Sequence, residues 1–173
     1  MADTNGSDTA LETAKHETRA AFENRAQMYY YIFDELSEEL GAEKAAEVMS
    51  RAIRRRGVEV GRKYGPAAET RDLAEVGRIF CEGSACEGEL FHPGIEEQND
   101  ESIVLSMTSC PLVDAWRALG LPAEKIDTLC GISAAVDEGT FEGAGLELTF
   151  GDRLGKPGSC RCLLELRLPP EEG

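Results

Sequence analysis

Histidine is nearly missing from this 173-residue chain: only His16 and His92 occur. A histidine-rich metal site is excluded by that count, and a Ser-His-Asp arrangement would have to run entirely on His92. No apolar run approaches the roughly 20 residues needed to cross a bilayer. The opening segment, MADTNGSDTALETAKHE, is polar and acidic and lacks the apolar core of a signal sequence, so a cytoplasmic location is expected. The strings GxGxxG, Walker loop, GxSxG and HExxH are all absent. Basic residues are also scarce, 18 against 33 acidic ones, for a formal net charge of -15. Such a surface repels phosphate backbones and anionic lipid, which argues against nucleic acid and membrane as partners.

What remains is an ordinary globular composition, 42% hydrophobic, in a chain of single-domain length. Six cysteines are present: Cys81, Cys86, Cys110, Cys130, Cys160 and Cys162. That is too sparse for a disulfide scaffold, and nothing sends the chain to an oxidising compartment, so all six read as thiols or thiolates.

Residues 1–16 read as a disordered acidic tail and 17–170 as one α+β domain. Phe22, Ala26, Tyr29, Phe33, Leu36 and Leu40 recur at steps of four and three, one apolar stripe along a helix that should stop at Gly41. A second helix carries Ala45, Met49, Ile53, Gly57, Val60 and Tyr64 on one face, completing a helical hairpin. Thr70 is a plausible N-cap for a shorter helix holding Leu73, Val76, Ile79 and Phe80. Strands are expected over Glu87–His92 and Ser102–Thr108, separated by an acidic turn from Pro93 to Glu101. Pro111 opens a further helix, with Leu112, Ala115, Trp116 and Leu119 inward, and Pro122 opens another running towards Val136. Leu146–Phe150 and Cys160–Leu168 finish as strands joined by GDRLGKPGS. Helices first, then strand pairs split by helices, describe helices packed on a small antiparallel sheet.

The cysteines carry the chemical interest. Cys110 falls where a strand gives way to a Pro-initiated helix, and a thiol beside a helix N-terminus is expected to have a lowered pKa. The competing reading is a small buried apolar side chain, which is the ordinary fate of free cysteine. That reading is stronger for Cys130, within a helix between apolar neighbours. Cys160 and Cys162 alternate onto one face of the last strand. Asp137 and Glu138 follow the helix that starts at Pro122. The run Arg54-Arg55-Arg56 is the densest positive spot and offers a guanidinium for a substrate carboxylate.

Taken together the strings resemble a known family. RAQMYYYIFDEL at residues 25–36 and AIRRRG at residues 52–57 resemble the helical half of the L-2-amino-thiazoline-4-carboxylic acid hydrolase family. So do Cys110-Pro111-Leu112, Trp116, Leu119-Gly120-Leu121-Pro122, Leu129-Cys130, Asp137 and the late Cys160. The resemblance spans roughly residues 20 to 168 and extends to vinyl-reductase-type small-molecule-binding domains, an α+β fold with a cysteine-bearing site. The family pattern has one cysteine before the final strand; either Cys160 or Cys162 answers to it.

The resemblance implies hydrolysis of a cyclic isothiourea, such as L-2-amino-thiazoline-4-carboxylate, to N-carbamoyl-cysteine without a cofactor. In that reading Cys110 is the nucleophile, Cys130 a second thiol, Asp137 the partner of the amidinium or of water, and His92 a base. Arg54 or Arg55 would clamp the carboxylate, and Tyr30 is placed with them as a substrate-binding residue. The alternative is a non-catalytic ligand or metal sensor, with Cys110, Cys130 and Cys160 as zinc thiolates. A third reading is a partner-binding or scaffold role that uses the amphipathic hairpin, and a homodimer is expected.

Overall fold

In the computed structural model, which describes residues 4–170, the apolar stripe of the first helix sets the frame. Helix α1 spans Thr4–Leu40, and α2 spans Ala42–Gly61. The stripe buries Ala26 and Phe33, and the break between the helices falls on Gly41 at φ 83°, a left-handed conformation that glycine reaches without strain. Helix α1 begins well before the expected domain start. The stretch ALETAKHETRAA contains neither glycine nor proline and is rich in good helix formers, so the segment read as a tail is helical from Thr4 onward. Residues 1–3 lie outside the described residues. Lys15 fastens this part of the helix to the body, its Nζ lying 2.6 Å from Glu89 Oε1.

A short helix α3 (Gly65–Glu69) and α4 (Leu73–Glu82) follow. The N-cap of α4 is Asp72 and not Thr70. The Asp72 carboxylate accepts the Glu75 N–H at 2.9 Å, whereas the Thr70 hydroxyl closes α3 by donating to the Pro66 and Ala67 carbonyls. The first strand also departs from expectation. Cys86, Glu87, Gly88 and His92 all have positive φ, which coils Glu87–His92 into successive turns, and β1 begins at the next residue, spanning Pro93–Gln98. Strand β2 covers Ser102–Met107 and pairs antiparallel with β1, with a bulge between Ile95 and Glu97.

Helices α5 (Pro111–Ala118) and α6 (Ala123–Gly143) come next, then β3 (Glu147–Phe150) and β4 (Cys162–Arg167). The sheet is antiparallel throughout in the order β1-β2-β4-β3. Its alternation is as expected: Cys162, Leu164, Leu166 and Leu168 are buried between more exposed residues. Leu119, expected inward, is 42% exposed because α5 ends at Ala118 and Leu119 serves as its C-cap. Among the described residues, no helix is long and apolar enough to cross a membrane.

Two apolar clusters make the core. Ala26, Phe33, Met49, Trp116 and Leu129 centre one among α1, α2, α5 and α6; the Trp116 indole N–H donates to the Ala26 carbonyl at 2.8 Å inside it. The other joins Val76, Phe80, Phe141, Ile103, Leu105, Leu164 and Leu166 between the helices and the sheet. Helix α6 contributes to both, through Leu129 and Phe141, and α2 packs along it while contributing Ala45, Met49 and Ile53 to the first. Their contact is closer than side chains would permit: a Cβ on Gly57 would collide with the Val136 carbonyl, and one on Gly139 with the Arg54 carbonyl. Gly61 and Gly143 repeat the pattern one turn further, where a Cβ on Gly143 would sit 2.7 Å from Val58 O. This glycine seam brings α2 and α6 together along the wall of the site described next.

Candidate functional site

A cavity of about 610 Å³ lies between the two apolar clusters, lined by residues of both. Each chemically interesting group reaches it for a local reason. Cys110 is the N-cap of α5. Its extended backbone (φ -151°, ψ 111°) turns the chain out of β2, while Pro111 at the first helical position presets the helix. Cys130 and Asp137 come from α6, seven residues and hence about two turns apart, which puts them on one face. Helix α6 continues to Gly143, so Asp137 lies within it and not after its end. Cys162 is the first residue of β4 and is buried.

The loop between β3 and β4 closes over the thiols. Arg117 Nη2 donates to Leu154 O at 2.9 Å, and Arg153 Nη2 holds Asp127 Oδ1 at 2.9 Å. Gly155 packs so tightly on α6 that a Cβ there would lie 2.8 Å from Cys130 Sγ.

Burial dominates the electrostatics of these groups. It pushes the Cys110 thiol up to about 12, although the N–H groups of Val113 and Leu112 pull the other way. The helix terminus does act on Cys110, as the sequence suggests, but desolvation outweighs it and the expected lowering is reversed. Cys162 is raised to about 11 by burial, against the pull of the Leu154 N–H, and Cys130 is raised by burial against the pull of the Gly155 N–H. Asp137 is half-buried; desolvation, with a smaller push from the Glu138 carboxylate, lifts its carboxyl from the ordinary 3.8 to about 7. Its charge in turn raises Tyr64, Cys130 and Cys162, so these groups share one field.

Of the residues singled out from sequence, Cys110, Cys130 and Asp137 all line this cavity. His92 does not. It lines a separate, shallow surface depression with Cys81, Glu82, Glu87 and Glu89. Arg54 faces away and pairs with Glu142 at 2.7 Å, and neither Arg55 nor Tyr30 lines the cavity. Tyr30 instead packs against Tyr31, ring centroids 5.2 Å apart. Their neighbours take these places: Arg56 from α2, and Arg25 and Tyr29 from α1. The Arg25 guanidinium lies 4.7 Å from the centre of the Phe22 ring, and its charge partly offsets the effect of burial on the Tyr29 phenol. The signal for them was in the periodicity, since Phe22, Arg25, Ala26 and Tyr29 share a stripe, as do Ile53, Arg56 and Val60.

Cys160 is exposed and does not line the cavity; β4 starts only at Cys162, so strand alternation never extends back to it. Cys162 is therefore the cysteine at the site. The trio Cys110, Cys130 and Cys160 is not brought together, and among the described residues no group of three or more His, Cys, Asp or Glu side chains is arranged to hold a metal ion.

The arrangement offers a carboxyl that titrates near neutrality, three neutral thiols and two guanidinium groups, in a space otherwise lined by uncharged side chains. A family model described as L-2-amino-thiazoline-4-carboxylic acid hydrolase matches residues 21–163, which include every one of these groups. No curated protein matches the chain.

Proposed function

Since the chain belongs to the L-2-amino-thiazoline-4-carboxylic acid hydrolase family, we propose that it hydrolyses a cyclic isothiourea of that type, with Asp137 as the base that activates water. The observation that carries this reading is the Asp137 carboxyl, raised to about 7 in a cavity whose rim carries the exposed Arg25 and Arg56, the latter paired with Glu59 at 3.2 Å. A general base works best with a pKa near the operating pH, and burial supplies that match here.

The attacking group, water or thiol, is uncharged near neutral pH and needs a base. With a pKa of about 12, Cys110 is a thiolate in only about one molecule in 10⁵ at pH 7. Asp137 is about half ionised at the same pH. Attack by Cys110 would therefore need its proton removed in the same step, as attack by water does, and the ionised Asp137 is the base that lines the cavity.

In the step we propose, the amidinium of the substrate sits against ionised Asp137, and Arg56 and Arg25 take its carboxylate. The water oxygen bonds to the ring carbon between nitrogen and sulfur while its proton passes to Asp137. The carbon–sulfur bond then breaks with its electron pair on sulfur. The hydroxyl proton of the adduct is lost as the urea carbonyl forms, the sulfur takes up a proton, and Asp137 releases the one it holds. A thiolate leaves readily, its conjugate thiol having a pKa of about 8.5, so the harder task is activation of the attacking oxygen. Cys110, Cys130 and Cys162 act as neutral, poorly hydrated walls beside the reacting carbon.

The test is thiol release from L-2-amino-thiazoline-4-carboxylate by wild type, Asp137→Asn and Cys110→Ala. Loss of about 10²–10⁴-fold in Asp137→Asn, with Cys110→Ala within about tenfold of wild type, supports water attack. A dead Cys110→Ala that stays folded, with a covalent adduct trapped on Cys110 of the wild type, would replace it by the nucleophilic route. No thiol release by the wild type would remove the hydrolase reading.

A further inference from the structure

The cavity is far larger than the substrate for which the family is named. L-2-amino-thiazoline-4-carboxylate has about nine non-hydrogen atoms, whereas cavities of about 300–1,000 Å³ are the size that encloses drug-sized ligands. At about 610 Å³ the site falls in the middle of that range. Its chemistry is equally lopsided. Of the described residues lining it, only Arg25, Arg56 and Asp137 carry charge. These three account for the carboxylate and the amidinium of a substrate and leave the rest of the wall with no ion to meet.

That remaining wall is aromatic and apolar. Tyr64 and Phe80 are buried behind it, 5.5 and 6.4 Å centroid to centroid from the buried Phe141, while the half-buried Phe22, Tyr29, Val60, Phe91 and Met107 form its open face. On the Arg25 side, Phe22 meets Phe91 edge to face at 5.2 Å. A nine-atom polar ring held at the charged groups would leave this surface against water. Apolar surface of this extent in a concave site marks the place of an apolar ligand group.

We propose that the ligand of this site is a cyclic amidine or isothiourea carboxylate bearing a bulky apolar substituent, aromatic or branched alkyl, about the size of a benzyl group. The proposal rests on the hydrolase reading for the reacting ring and goes beyond it for the substituent. The charged triad fixes the ring, and the half-buried face of Phe22, Tyr29, Val60, Phe91 and Met107 receives the substituent.

The experiment uses two matched series on the full chain. The first is 2-amino-thiazoline-4-carboxylate carrying hydrogen, methyl or benzyl at the ring carbon next to sulfur, followed by thiol release. The second is the same three substituents on rings with methylene in place of sulfur, which have no carbon–sulfur bond to break, followed by calorimetric binding. Benzyl over hydrogen is expected to gain about ten- to hundredfold in kcat/KM and a similar factor in affinity, as burial of an aromatic side group predicts. Val60→Phe, which adds bulk to the apolar wall, is expected to reduce that benzyl-to-hydrogen ratio at least tenfold.

Equal or weaker performance of benzyl in both series overturns the proposal while leaving the hydrolase reading intact. Tighter benzyl binding with no cleavage of any member supports the proposal and removes the hydrolase reading. A benzyl preference unchanged in Val60→Phe would place the substituent elsewhere and overturn the assignment to this cavity.

Discussion

Replacing Asp137 by Asn should stabilise the protein at alkaline pH while destroying its activity. The carboxyl titrates at about 7 in the folded chain against an ordinary 3.8, so the native state holds its proton over a range in which the unfolded state has lost it. Because the folded state binds more protons there, stability falls as pH rises from about 4 to about 7, by roughly 1.4 kcal/mol per pH unit. Above 7 both states are ionised and the dependence ends. The full range corresponds to about 4 kcal/mol, the cost of holding a carboxylate in this cavity at pH 8. Asparagine has nearly the same shape and no charge to desolvate. Urea denaturation of both proteins at pH 5 and pH 8 reads the effect as a difference, in which all other titrating groups cancel. The advantage of Asp137→Asn should grow by about 3 kcal/mol between those two pH values. A difference that is the same at both pH values, or one that shrinks as pH rises, would refute the claim that Asp137 is held by burial.

Gly139→Ala should destabilise strongly, by about 3 kcal/mol or more, because its Cβ would meet the rigid Arg54 carbonyl and force α2 and α6 apart; equilibrium denaturation checks it, and a change under 1 kcal/mol would contradict the close crossing. Thiol titration of the native protein at pH 8 should find Cys160 fast, since it is exposed, and Cys110, Cys130 and Cys162 slow, since burial raises all three. Peptide mapping of the first-labelled residue decides this, and early labelling of Cys110 would reverse it. Trp116→Phe removes the indole donor to Ala26 O and part of a fully buried ring, and should cost about 2 kcal/mol by denaturation. Arg56→Met should raise KM for a carboxylate-bearing substrate at least tenfold while leaving the uncharged amide of that substrate little affected.

The helical hairpin and the last strand were legible because their signal is local. The four-three stripe from Phe22 to Phe33 and the alternation from Cys162 to Leu168 each report one buried face. What escaped depends on structure beyond the local pattern. The residues Cys86 to His92 have strand-like composition, but four positive φ values coil them, and pairing of β2 with Pro93–Gln98 moves the strand into the expected turn. Gly57 was placed on the buried face of α2, yet its purpose, an approach to Val136 O, needs the partner helix to be known. The site shows the same division. Cys110, before Pro111, Cys130 and Asp137 stand out in the sequence and the resemblance supplies their roles, whereas the arginines are off by one or two positions on a helix and by a whole element. Arg54 and Arg56 are about 200° apart around α2, so one meets Glu142 and the other Glu59 at the cavity rim. The sign of the Cys110 shift required the depth of burial, which no spacing reveals.

The central claim is that Asp137 is the base in this cavity, and the pH dependence of kcat/KM tests it most directly. With L-2-amino-thiazoline-4-carboxylate or its benzyl derivative, kcat/KM should rise with pH through an inflection near 7, because the ionised carboxylate is the active form. The residual activity of Asp137→Asn should lack that inflection. A wild-type profile flat between pH 5.5 and 8.5, or an inflection near 7 that persists in Asp137→Asn, would contradict the account.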